Sequence, residues 1–140
     1  MALPAKIRLQ IVSAERALVD ELVDEVEIPG QDGYFGVLPG HTPLLGVLGA
    51  GELWYRVGGE IHYLAIAFGF AEVQPDHVTI LAEIAEKAED IDVARAEAAK
   101  KRAEERMSRP TIEMDFERAR ISLMKALIRL QVASRAKIRS

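Results

Sequence analysis

"EDIDVARAEAAKKRAEER", residues 89–106, is the stretch that divides the chain. Its residues are helix formers and its charges alternate in sign. Asp90 or Asp92 can cap a helix here, and Val93, Ala96, Ala99, Ala103 and Met107 form a narrow apolar stripe at helical spacing. On charge pattern alone this is a solvated amphipathic helix.

Upstream, composition changes character near residue 83. All ten glycines lie between Gly30 and Gly69, five of the six prolines fall at or before Pro75, and no glycine follows Ala82. Turn-rich β structure therefore precedes helix. "IRLQIV" (7–12) and "DEVEIP" (24–29) alternate apolar with polar residues, and 51–57, 60–67, 69–74 and 77–83 follow as strands. Gly58-Gly59 and Pro75-Asp76 supply tight turns between them. Short strands at this spacing, with no helix between them, predict a β-sandwich or barrel. Its roughly 80 residues can enclose a modest core.

Downstream, "SRPT" (108–111) breaks the helix, because Pro110 disfavours helix at Arg109. A second helix is predicted from about Ile112 to Ile138, with Phe116, Ala119, Leu123, Ala126, Leu127, Leu130 and Ala133 on one face. So short a connection makes the helices an antiparallel hairpin. Alanine dominates their seam, and burial at roughly 25 cal/mol per Å2 yields little there. The hairpin is therefore expected to detach without unfolding the β domain.

The whole chain has 140 residues, 49% of them hydrophobic and 29% charged, as a folded globular protein has. It contains no cysteine, which excludes disulfides, thiolate metal sites and a thiol nucleophile. No signal peptide is visible, and no run approaches the roughly 20 apolar residues of a membrane span. The net charge of -4 is unevenly distributed. Residues 1–82 carry 4 basic and 11 acidic groups, whereas residues 118–140 carry 7 basic and none acidic. A basic terminal segment on an acidic body points to an acidic partner surface or a polyanion.

No active site is evident. His41, His62 and His77 are too scattered for a metal site, and His62 alternates with apolar neighbours as an ordinary strand histidine does. No serine has the glycine-framed context of a nucleophile elbow. The glycine-rich stretch "PGQDGYFGVLPGHTPLL" (29–45) lacks the Gly-Lys-Ser/Thr ending of a phosphate loop. It reads as successive turns displaying Tyr34, Phe35 and Val37, which either form a contact surface or plug the end of the β domain.

"EIPGQDGYFGVLPGHTPLL" (27–45) resembles the epsilon subunit of bacterial F-type ATP synthase. "IRLQIVSAER" resembles that family's opening strand, "GFAEVQPDHVTILAE" its last strands and "DIDVARAEAAKKRAEER" its first C-terminal helix, so the resemblance covers essentially the whole chain. It implies an α+β protein: an N-terminal ten-stranded β-sandwich (1–84), then a C-terminal antiparallel α-helical hairpin (88–140). It further implies a non-catalytic rotor subunit in the central stalk of a proton-translocating enzyme, on the cytoplasmic face of the bacterial cell membrane. The implied partners are the gamma subunit, the c-ring and the beta subunits, with no nucleic acid and no insertion into the membrane.

For the sites, the resemblance implies a gamma and c-ring contact loop at Asp32, Tyr34, Phe35, Val37 and His41. Some relatives carry an acidic residue where this chain has Tyr34. The hairpin is implied to have two dispositions, folded on the sandwich or extended into the catalytic head, where it hinders ATP hydrolysis. Its inhibitory basic face is Arg118, Arg120, Lys125, Arg129 and Arg135. The run Ile91-Asp92-Val93-Ala94-Arg95-Ala96 resembles a motif that binds ATP in some relatives. The implied set is Glu86, Ile91, Asp92, Arg95, Ala96, Arg102, Lys125 and Arg129, with ATP as a regulatory ligand and no cofactor or metal required. Arg95 and Arg102 are two helical turns apart and share a face. Position 125, where ATP-binding relatives can carry arginine, is here Lys125, a point charge without a bidentate fork. Two other classes stay open: a stand-alone ATP-sensing module without an inhibitory role, and a nucleic-acid-binding sandwich with a basic tail.

Overall fold

The computed structural model describes residues 4–109 and 113–139, with backbone alone for 113, 114 and 137–139. Its strands are β1 (Ile7–Ser13), β2 (Ala17–Val23), β3 (Glu25–Gly30), β4 (Gly33–Val37), β5 (Leu44–Val57), β6 (Glu60–Val73) and β7 (His77–Lys87). They form one hydrogen-bonded sheet in the order β2-β1-β7-β6-β5-β3-β4. β1 and β7 run parallel, and the other neighbours are antiparallel.

One row of residues turns this sheet into a sandwich. The β5–β6 ladder passes from Leu48↔Gly69 to Ala50↔Ala67, and the β6–β7 ladder from Gly69↔Ala82 to Ala67↔Ile84. Gly49, Phe68 and Glu83 are thereby left out of the pairing in three adjacent strands, while the register on either side of them is the same. Phe68 has φ +61° and Gly69 φ +124°, both left-handed. Across this row the side chains that point inward change between odd and even positions of each strand. In β6 the core residues are Ala71 and Val73 on one side of the row but Leu64 and Ile66 on the other. In β5 the change is from Leu48 to Leu53 and Tyr55, and in β7 from Val78 and Ile80 to Ala85. The three strands bend together, so the sheet folds over with its apolar face always inside. Counting these three strands once in each layer recovers ten, so the difference from the seven continuous strands is one of continuity.

The core contains Ile7, Leu9, Ile11, Ile28, Leu53, Ile66 and Ile80, all fully buried, and every member of it comes from a strand. β2, β4 and the first half of β5 are not among the predicted strands. In β2 only Val19 and Val23 are buried, which erases the period of two, and β4 is glycine-rich. The two strands predicted at 60–67 and 69–74 are one strand bent at Phe68 and Gly69.

A 3-10 turn at Ala88–Asp90 leads into α1 (Val93–Ser108), and α2 covers Glu113–Arg139. Asp92 is the N-cap of α1, its carboxylate accepting the Arg95 N–H at 3.0 Å, whereas Asp90 faces Arg16 at 3.8 Å. The break predicted at Pro110 and the helix start at Ile112 lie outside the described residues. Ala96 and Ala103 of α1 and Ala119 and Ala126 of α2 are buried, as the alanine seam predicts. Leu127 is not part of that face: one residue past Ala126, it is turned about 100° away and is 45% exposed. Among the described residues no helix is long and apolar enough to cross a membrane.

Candidate functional site

α2 lies on the outer face of the sandwich with a separate, small apolar cluster beneath it. Val132 and Ala133 meet Ala65, Ala88 and Ile91, with Tyr63, Val93, Ile128 and Ala136 around them. Three cations on the same side of α2 reach the strands. Lys125 Nζ stands 5.6 Å from the centre of the Phe68 ring, and Arg129 Nε donates to Glu86 Oε1 at 2.7 Å. Arg135 makes a two-point contact with Glu52, Nε to Oε1 at 2.8 Å and Nη2 to Oε2 at 3.1 Å, and stacks 5.1 Å from Tyr63. The hydrogen bonds it donates to Glu52, and then the charge of that carboxylate, push the Arg135 guanidinium pKa above its ordinary value. Glu52 is the one buried charged residue among those described, at 8% exposure. A carboxylate so buried needs a paired, hydrogen-bonded cation, and a fork matched to both oxygens is the strong form of that pairing.

The residues of the expected ATP set fall into three places. Ile91 is buried under α2, and Ala96 is buried in the helical seam. Asp92 is committed to capping α1, Glu86 and Arg129 to each other, and Lys125 to the Phe68 ring. Arg95 and Arg102 are exposed on α1, without an ion pair among the described residues. Arg102 lines an open groove of about 500 Å3 with Glu105, Arg106, Ser108 and Arg109, at the far end of α1 from Asp92.

The expected basic face is likewise divided. Lys125, Arg129 and Arg135 are engaged with the sandwich, and Arg120 pairs with Glu117 at 3.1 Å one turn away. Arg118 is exposed and lines a second groove, of about 340 Å3, with Arg106, Arg109 and Asp115. Arg106 and Arg109, which are outside the expected basic face, stand beside Arg118 at the hairpin tip, also without an ion pair among the described residues.

In the glycine-rich loop, Asp32 lies exposed in the β3–β4 turn and Tyr34 is 54% exposed. Two expected contact residues turn inward instead. Val37 is in the core at 1% exposure, and Phe35 packs against that core. β4 pairs with β3, and alternation along it sends Phe35 and Val37 to one face and Tyr34 to the other. His41 is half-buried, its Nδ1 donating to the Thr42 carbonyl at 2.6 Å.

The sandwich also carries an apolar surface that escaped the sequence reading. Val47 pairs with Phe70, Phe70 with Leu81, Leu81 with Val12, and Val12 with Ala17. All five point away from the core, forming a row across five strands, and Val47, Phe70 and Leu81 are each about half exposed. Gln31 N–H donates to the Val47 carbonyl at 2.9 Å, so the β3–β4 turn adjoins the end of this row. Among the described residues no cluster of His, Asp or Glu could hold a metal ion.

Comparisons with known proteins agree with this organisation. The family described as ATP synthase, Delta/Epsilon chain, beta-sandwich domain, matches residues 6–88, and that of its long alpha-helix domain matches residues 89–134. The ATP synthase epsilon chain of Syntrophobacter fumaroxidans is 50% identical over 130 residues, covering 93% of this chain and 97% of its own length. That of Solibacter usitatus is 44% identical over 95% of this chain and 99% of its own. A chain in the cryo-EM structure of Euglena gracilis mitochondrial ATP synthase (OSCP/F1/c-ring) superposes with a TM-score of 0.82 at 28% identity, covering 95% of this chain and 84% of that one.

Proposed function

Because this chain belongs to the ATP synthase delta/epsilon family as an epsilon chain, a non-catalytic subunit of the central stalk, we propose that its sandwich seats it between the gamma subunit and the c-ring while its hairpin restrains ATP hydrolysis. The observation that carries this reading is the presence of two separate cores. The sandwich core is built from strands alone, and α2 is held over it by small side chains and ion pairs. An element attached in this way can be released whole. Hydrolysis by the assembled enzyme lacking the hairpin decides the matter.

In this reading the hairpin tip, with Arg106, Arg109 and Arg118, meets an acidic segment of a beta subunit. Arg129 and Arg135 join that contact once they leave Glu86 and Glu52. The protein is then peripheral, held at the cytoplasmic face of the cell membrane through its complex. The apolar row centred on Phe70 is covered by gamma, and the exposed Asp32 and Tyr34 face the ring. Phe70→Asp places a charge at the middle of that row and is expected to weaken binding to gamma at least about thirtyfold, as loss of a central anchor does. Binding within about twofold of the parent in a titration with purified gamma would remove the row from the interface.

A second reading, ATP as a regulatory ligand of the hairpin, is favoured by the exposed, unpaired Arg95 and Arg102. A triphosphate held by these two draws Arg129 from Glu86 and ties α1 to α2. Saturable ATP binding by the isolated chain at millimolar concentration is expected, weakened about tenfold by Arg95→Ala. A titration without saturation in that range would eliminate the sensor. Saturation together with an unchanged hydrolysis rate after hairpin removal would instead support a stand-alone ATP-sensing module.

A further inference from the structure

The β3–β5 ladder is interrupted between Trp54 and Leu48. Tyr34, standing on the neighbouring β4, fills the gap: its hydroxyl oxygen accepts the backbone N–H of Glu52 at 3.0 Å. The fit is tight, since a Cβ at Gly51 would lie 2.3 Å from that oxygen and 2.8 Å from the Pro29 side chain. Tyr34 as a residue remains 54% exposed on the loop surface. The residue whose backbone it holds is Glu52, the buried carboxylate that grips Arg135 of α2 by two hydrogen bonds. An exposed side chain on the contact loop is thus one hydrogen bond away from the main attachment of the hairpin.

We propose that Tyr34 is a positioning residue that couples occupancy of the loop surface to release of the hairpin. A partner seated on the β3–β4 turn that draws the Tyr34 ring away from Gly51 carries the hydroxyl off and leaves the Glu52 N–H without an acceptor. The backbone at Glu52 then shifts, and the two-point contact with Arg135, which depends on the angle between carboxylate and guanidinium, loosens. Coupling of this kind is reciprocal, so loss of Arg135 must be felt at Tyr34. The inference rests on the reading of the hairpin as a releasable element.

The test uses the full-length chain and amide hydrogen exchange over Ile128–Ala136 as the measure of hairpin opening. Tyr34→Phe keeps the ring, removes the hydroxyl, and is expected to speed exchange there about fivefold. Arg135→Ala is expected to speed it more, and the double variant no further, because both changes act on one attachment. An unchanged rate in Tyr34→Phe, or effects that multiply in the double variant, would overturn the coupling while leaving a releasable hairpin intact. A hairpin that stays closed even in Arg135→Ala would overturn both. Should Tyr34→Phe fail to fold, carbon-13-labelled tyrosine decides: Arg135→Ala must shift the Tyr34 ring resonances and spare those of Tyr55, and unmoved Tyr34 resonances end the proposal.

Discussion

Deleting the chain from Ala88 onward is expected to leave a folded sandwich that still assembles, and to raise ATP hydrolysis by the complex at least about threefold, a loss of roughly 0.7 kcal/mol or more of restraint. The folded half of this expectation follows from the composition of the cores. Ala88, Ile91, Val132 and Ala133 belong to the small cluster under α2, and the last member of the main core is Ala85. Truncation uncovers Ala65, Tyr63, Glu52 and Glu86. The two carboxylates regain water when they lose their arginines, so no unpaired charge is left buried. Thermal unfolding of residues 1–87 should therefore be cooperative and close to that of the full chain. The functional half follows from the basic tip. A full-length variant carrying Arg106→Glu and Arg118→Glu is expected to share the increase, since neither arginine has an ion pair among the described residues. Hydrolysis that stays unchanged on deletion, in a complex containing the truncated subunit, would refute the brake.

Gly69→Ala is expected to have the largest effect of any single substitution on the sandwich. The residue has φ +124°, and a Cβ there would stand 2.0 Å from the Leu81 carbonyl oxygen and 3.0 Å from Ala82 Cα. Both obstacles are backbone of the neighbouring strand, so nothing can swing aside. A cost of roughly 3–5 kcal/mol is expected, at the upper end for point substitutions and a large share of the roughly 5–15 kcal/mol that holds a domain together. Melting should fall by more than about 10 °C. Gly36→Ala is the control, because a Cβ at Gly36 meets nothing within 4 Å. Equal melting temperatures for the two variants would show that the sheet does not need its bend at Gly69.

The helical half was legible because its signals are local. Asp92 stands where a cap belongs, and Ala96 and Ala103 recur at two-turn spacing, so both the start of α1 and its buried face follow from neighbours in the chain. The sandwich was legible only up to the row through Gly49, Phe68 and Glu83. There the inward parity reverses, and an alternation rule applied across it must split one strand into two or drop half of it. The same kind of limit hid the apolar row. Phe70 between Gly69 and Ala71 carries no signal of its own, and its apolar neighbours Val47 and Leu81 are supplied by strand register. The attachment of the hairpin was the least visible feature, since Glu52 and Arg135 are 83 residues apart and both read as solvated charges. The loop was half legible: Tyr34 is displayed, but Val37, two residues on, is packed inside.

The three bent strands have a mechanical meaning for a subunit of the central stalk. In a sandwich of two independent sheets, the layers touch only through side chains, and shear between them is opposed by packing alone. Here β5, β6 and β7 pass from one layer into the other, so relative sliding must deform covalent backbone along three neighbouring lines at once. A twist applied at one face reaches the other through the chain itself, with little compliance between. The hairpin hangs on this stiff body by a few side chains, so a load carried by the sandwich need not pass through the helices.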